Sequence, residues 1–177
     1  MTACASNRAI GRLLAALIAT CVLGGCGGTS RPSEPLRRWL SYDARGRTVT
    51  IKLIPGYNDV YGGFNFNGYG KGQVLVNVPK GWNVIVLCAN TRSARRHSCA
   101  LVQGPGDRRP AFRGAASPKP SAGLRTGESA TFSFTADAVG VYRLACLVPQ
   151  HERAGEWNVL AVTRSPLPSV RLLRRLP

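Results

Sequence analysis

Residues 146 to 157 read CLVPQHERAGEW, a stretch that sets a thiol, Cys146, ahead of an imidazole, His151, with four residues between them. The chain has only two histidines, the other being His97, and six cysteines. One soft thiolate and two imidazoles form a donor set suited to copper; His2Cys with a weak axial group is the ligand set of type 1 electron-transfer sites. Taken singly, each residue has a plainer reading. A lone cysteine commonly serves as a small buried apolar side chain, and a lone histidine is more often hydrogen-bonded or solvated than a ligand. The three become a site only where the fold brings His97 to the Cys146–His151 loop.

The elements that must do this are short and alternate in hydropathy. TVTIKLI sets Val49, Ile51 and Leu53 on one face, and QVLVNV sets Val74, Val76 and Val78. WNVIVLC, SCALV, ATFSFTA, GVYRLAC and WNVLAVT follow in the same style, separated by Gly, Pro and Asn. Such runs, with no amphipathic helix of useful length among them, indicate an all-β antiparallel sandwich or barrel. A chain of 177 residues holds one such domain, read here as 47–164, with appendages. GVYRLAC ends at Cys146, the strand beginning EWNVLAVT follows the loop, and His97 opens HSCALV, so all three candidate ligands fall at strand ends on one pole. Between Gln103 and Glu128 the chain is too rich in Pro and Gly to hold a strand for long and is expected to form a long excursion.

The amino-terminal stretch sets the compartment. Arg8 and Arg12 precede an apolar run from Leu13 to Leu23, followed by small residues, the pattern of a signal peptide over 1–25. Leu23-Gly24-Gly25-Cys26 resembles the lipobox of bacterial lipoproteins, which makes Cys26 the lipidated residue; Cys21, preceded by Thr20, fits that pattern less well. The alternative is an ordinary secretory signal cleaved nearby. Residues 26–46 read as a flexible tether and 165–177 as a basic, Pro-rich tail. Export leaves Cys88, Cys99 and Cys146 outside a reducing cytosol. With Cys146 on a metal, Cys88 and Cys99 close a loop around His97, either as a disulfide or as a free pair. Lys and Arg number 24 against 8 Asp and Glu, a formal charge of +16. That charge suits an anionic membrane surface, an acidic protein or a nucleic acid. The last is set aside because the aromatics of YGGFNFNGYG are not interleaved with Arg or Lys and no nucleic-acid motif is present.

From Val49 to Val162 a series of motifs occurs in order: GFNFNGYGKGQVLVNVPKGWNV, His97-Ser98, AFRGAASPKPSAGL and GVYRLACLVPQHERAGEWNV. Together they resemble the sulfocyanins, membrane-associated blue copper proteins of the cupredoxin superfamily. The resemblance implies a Greek-key β-sandwich, one type 1 copper ion, and single-electron transfer at the outer face of the bacterial plasma membrane. Two departures stand out. Sulfocyanins have Gly-Met-Trp where this chain has Gly155-Glu156-Trp157, so Glu156 holds the place of the axial methionine, and the only methionine is Met1. Sulfocyanins also favour Pro-Gly-His before the loop, and Gln150 replaces that glycine. Glu156 is then either a fourth ligand or a surface residue paired with Arg153 or Arg95. As a ligand, its hard oxygen favours Cu(II) over Cu(I) and lowers the potential, and the four-donor set also suits tetrahedral zinc.

The expected function is electron carriage to an acidic redox protein, such as a cytochrome or an oxidase subunit, guided by Arg95, Arg96 and Arg153. The alternative is a copper or zinc binding and delivery module that does not cycle its redox state. An enzyme is disfavoured, because the 146–151 loop lacks a second cysteine for a binuclear centre and there is no His-Cys-His run.

Overall fold

The computed structural model describes residues 34–173, so the signal peptide over 1–25 and Cys26 lie outside the described residues. Nine strands run β1 Leu40–Asp43, β2 Thr48–Leu53, β3 Val74–Pro79, β4 Asn83–Ala89, β5 Ala100–Val102, β6 Ser129–Thr135, β7 Gly140–Ala145, β8 Trp157–Thr163 and β9 Ser169–Leu172. A single-turn α-helix, α1 Glu34–Arg37, precedes β1, another, α2 His151–Ala154, joins β7 to β8, and a short 3-10 turn over Val60–Gly63 lies between β2 and β3. Alternation is the cause of the layering. In β2 the side chains of Val49, Ile51 and Leu53 are buried, in β4 those of Val84, Val86 and Cys88, and in β6 those of Phe132 and Phe134, while the residues between them face outward.

The strands form two sheets, in the orders β1-β2-β4-β6 and β5-β7-β8-β3-β9. From β2 to β7 the chain passes from one sheet to the other at every step. This is the Greek-key β-sandwich that the strand pattern and the motifs predict. The sandwich departs from a purely antiparallel one, since β2 pairs parallel with β4, and β3 with β8, while the other strand pairs are antiparallel.

The domain is wider at both ends than 47–164. Residues 34–43 are not tether: Leu36 is 2% exposed and belongs to the core, β1 pairs with β2, and the Trp39 ring meets Tyr57 edge-on at 5.7 Å. Residues 169–172 are not free tail, since β9 pairs antiparallel with β3 and buries Val170. In both places a few apolar residues suffice because the sheets offer an edge and an unfilled apolar surface. The 103–128 excursion holds no strand but is pinned, with Ala111 N–H donating to Leu101, Leu101 N–H to Ala115 and Ser117 N–H to Cys99, all onto backbone oxygens at 2.8–2.9 Å. No helix among the described residues is long and apolar enough to cross a membrane.

Cys88 and Cys99 form a disulfide, both fully buried, that ties β4 to the segment just after His97. If the 34–43 segment is part of the core, Leu36→Ala removes a buried side chain and costs about 2–3 kcal/mol in urea unfolding. A loss within about 0.5 kcal/mol, the range of ordinary surface changes, would return the segment to tether.

Candidate metal centre

Each candidate ligand is set by backbone that has little freedom. His97 pairs with Leu124 in both directions, its N–H donating at 3.1 Å and its carbonyl accepting at 2.6 Å. The loop before it is folded round the buried Asn90, whose side-chain amide donates to the carbonyls of Arg95 at 2.7 Å and Leu124 at 3.1 Å. Cys146 follows β7 directly, and its N–H donates to the Glu156 carbonyl at 3.1 Å, which closes the base of the 146–156 loop. Within that loop the His151 carbonyl accepts from Gly155 at 3.2 Å and Glu156 at 3.0 Å.

Two backbone positions explain the motif. Gly155 has φ +127, and a Cβ there would lie 2.9 Å from the Lys71 side chain, so glycine is required before Glu156. Gln150, by contrast, sits at φ 72. That left-handed conformation costs a non-glycine residue about 1–2 kcal/mol, which accounts for the glycine sulfocyanins favour at this position.

Four donor groups converge. His97, Cys146, His151 and Glu156 are all buried, and one ligating atom from each can be chosen such that all lie within 4.8 Å of one another. His97 Nδ1 is 2.8 Å from both carboxylate oxygens of Glu156, but only Oε2 is aligned for a hydrogen bond. His151 Nδ1 lies 3.0 Å from Oε2 and 3.4 Å from Cys146 Sγ. The two imidazole centroids are 4.9 Å apart. Glu156 does not reach the surface and does not pair with Arg153 or Arg95: its side chain is 0% exposed and its polar neighbours are the two imidazoles.

The sulfur accepts the Ser98 N–H at 3.2 Å, and the Ser98 hydroxyl lies 3.6 Å away. Burial, and then the charge of Glu156, push the Cys146 thiol well above its ordinary pKa, against the lowering effect of those donors and of the Val148 N–H. The thiol therefore keeps its proton at neutral pH until a cation displaces it. The donor set fits a metal on two counts. Glu156 Oε1 is a buried acceptor with no donor, a costly arrangement that a cation relieves. One thiolate and one carboxylate also carry two negative charges, which a dication balances in a site closed to water. Copper and zinc both suit such N, S and O ligands.

Two contributors were not legible in the sequence. Ser93 Oγ lies 2.8 Å from His97 Nε2, which leaves Nδ1 as the nitrogen facing the cluster. Phe64 meets the His151 ring edge-on at 4.8 Å. No motif or spacing rule points to either; Gly56, where a Cβ would lie 2.5 Å from Ser93 Cβ, shows how closely the loops must approach to make the first contact.

Comparison with known proteins agrees with the motifs. A family model described as "Sulfocyanin (SoxE) domain" matches residues 35–109, which include His97 and the disulfide but end before the Cys146 loop. A sulfocyanin of Sulfolobus acidocaldarius is 26% identical over 136 residues, covering 70% of this chain and 68% of that protein. Among solved structures, a dithionite-reduced auracyanin from Roseiflexus castenholzii is 28% identical, covers 64% of this chain and 96% of its own, and superposes with TM-score 0.47. Auracyanin A of Chloroflexus aurantiacus, described as a "blue" copper protein, is 24% identical, covers 66% and 99%, and has TM-score 0.48. The chain is sulfocyanin-like in sequence.

If Ser93 fixes the His97 ring, Ser93→Ala weakens zinc or copper affinity by about tenfold or more, while Ser93→Thr retains it. Competition titration against a chelator reads both. Equal affinity in all three proteins would show that the backbone alone orients the ring.

Proposed function

We propose that this sulfocyanin-like chain is a one-electron carrier that holds a single copper ion through His97, Cys146, His151 and Glu156. It works at the outer face of the bacterial plasma membrane, anchored by lipid on Cys26. The observation that carries the reading is the buried convergence of one sulfur, two Nδ1 atoms and an underbonded carboxylate at one pole. When bound, copper supplies the one-electron couple. Everything else follows from how the chain holds the four donors.

His97, Ser98 and Cys146 are fixed by backbone hydrogen bonds between adjacent loops, and the disulfide lies just behind them. Donors held this way move little between oxidation states, so little reorganisation opposes electron transfer. Among the four, His151 is the donor nearest solvent, at 8% exposed against 0% for the other three, which makes its edge the exit. Phe64 meets its ring from outside and carries the Arg95 guanidinium on its own face, a surface suited to an acidic redox protein.

Glu156 sets the potential. With thiolate and carboxylate both ionised, the buried site is neutral around a dication and carries one uncompensated negative charge around a monocation. The oxidised form is therefore favoured over that of a methionine-ligated relative. Each tenfold change in relative affinity for the two oxidation states is worth about 59 mV for one electron.

Glu156→Met should raise the reduction potential by at least that amount in voltammetry and shift the visible spectrum towards an ordinary blue site. Glu156→Gln, which keeps the size and an oxygen donor, should fall between. Unchanged potential in both would place the carboxylate outside the site's electrostatics; irreversible copper redox with strong zinc preference would favour the metal-delivery reading.

The anchor rests on LGGC after an apolar run. A Cys26→Ala protein should lose its lipid label and leave the membrane fraction. Retained label would assign attachment elsewhere.

A further inference from the structure

The segment Tyr57 to Lys71, YNDVYGGFNFNGYGK, runs beside the metal pole, with the Lys71 N–H donating to the Gly155 carbonyl at 2.8 Å. Three of its aromatic rings each carry a cation on one face. The Arg92 guanidinium stands 4.9 Å from the Tyr57 centroid, the Lys71 ammonium 4.7 Å from Tyr61, and the Arg95 guanidinium 5.1 Å from Phe64. All three cations are exposed, and none forms an ion pair among the described residues. Arg95 is held further by its Nη1–H, which donates to the Gly62 carbonyl at 3.0 Å. Phe64 in turn meets the His151 ring, so Arg95, Phe64 and His151 form one continuous stack from solvent to the candidate ligand.

Resting on the electron-carrier reading, we propose that this Arg95–Phe64–His151 stack is the docking port for a carboxylate-bearing redox protein, with Arg92 and Lys71 as flanking contacts. Long basic side chains normally lose rotamer freedom when they bind a carboxylate. Here the rings already fix them, so that cost is reduced, and exposed positive charge around one pole steers a negative partner towards it. The stack also favours a protein over a lipid surface or a nucleic acid as occupant. A contact that ends on a ligand's edge is useful only to a partner with a redox group to bring near it, which a headgroup or a phosphate backbone does not have.

The test uses the full chain loaded with copper and reduced, and a triple variant, Lys71→Glu with Arg92→Glu and Arg95→Glu. One electron passes from the protein to ferricyanide, giving ferrocyanide, or to tris(phenanthroline)cobalt(III), giving the cobalt(II) complex. At low salt the variant should react about tenfold more slowly with the anionic oxidant and faster with the cationic one, and both differences should shrink in high salt. Rates unchanged by the triple variant would overturn the port while leaving electron carriage intact.

A second readout needs no copper. In the metal-free protein a poly-glutamate peptide should shift the backbone amide resonances of residues 57–71 and 92–95, and the triple variant should lose those shifts. Shifts spread over the whole surface, or tighter binding to phosphatidylserine vesicles than to the peptide, would also overturn it.

Discussion

The carboxylate of Glu156, buried against two imidazole nitrogens and a thiol, is the interaction on which the rest of this structure turns. Without a counterion, an ionised carboxylate with an unpartnered oxygen is among the costliest groups a protein can enclose. The fold encloses it all the same, through backbone contacts that would be pointless for a surface glutamate. Its carbonyl takes the Cys146 N–H, its own N–H goes to the His151 carbonyl, and Gly155 before it adopts a backbone angle that a side chain at that position would block. Such enclosure is consistent with a group kept for what it does to a bound cation.

The surrounding sandwich serves to keep these donors from relaxing apart. His97 comes from one loop and the other three donors from another, 49 residues or more later in the chain, so their meeting depends on the two sheets staying in register. The Leu124 bridge, the Asn90 amide and the disulfide hold the first loop, and the crossing of hydrogen bonds between Ser98 and the Cys146–Leu147 turn ties the first loop to the second. The 103–128 excursion takes part as well: Gly106 donates its N–H to the Glu152 carboxylate, and Arg108 reaches the Leu147 carbonyl at 2.7 Å.

All seven runs read as strands, 48–53 through 157–163, form strands; in most of them burial has period two, a property of local sequence, while the three residues of β5 are all buried. The two strands that alternation did not reveal, β1 and β9, are short and mostly exposed, and exist because a neighbouring edge is available to pair with. The convergence of His97, Cys146 and His151 at one pole was legible from strand ends. Placing Glu156 with them needed the family resemblance, and its full burial needed the structure. Ser93 and Phe64 act across loops with no sequence signature, and the cation-stacked rim was hidden because its arginines lie some thirty residues from the rings they cover. Gln150 is the converse case, a departure visible in the sequence whose meaning, a left-handed backbone angle, appears only in the fold.

The most direct measurement of the central claim is the visible absorption spectrum of the chain loaded with one equivalent of Cu(II), followed through reduction and reoxidation. The account predicts an intense thiolate-to-copper band that bleaches with one electron and returns fully, with the Cys146 thiol unreactive to thiol reagents throughout. A colourless protein that takes up the ion with its thiol still free, or a band that does not return, would contradict it.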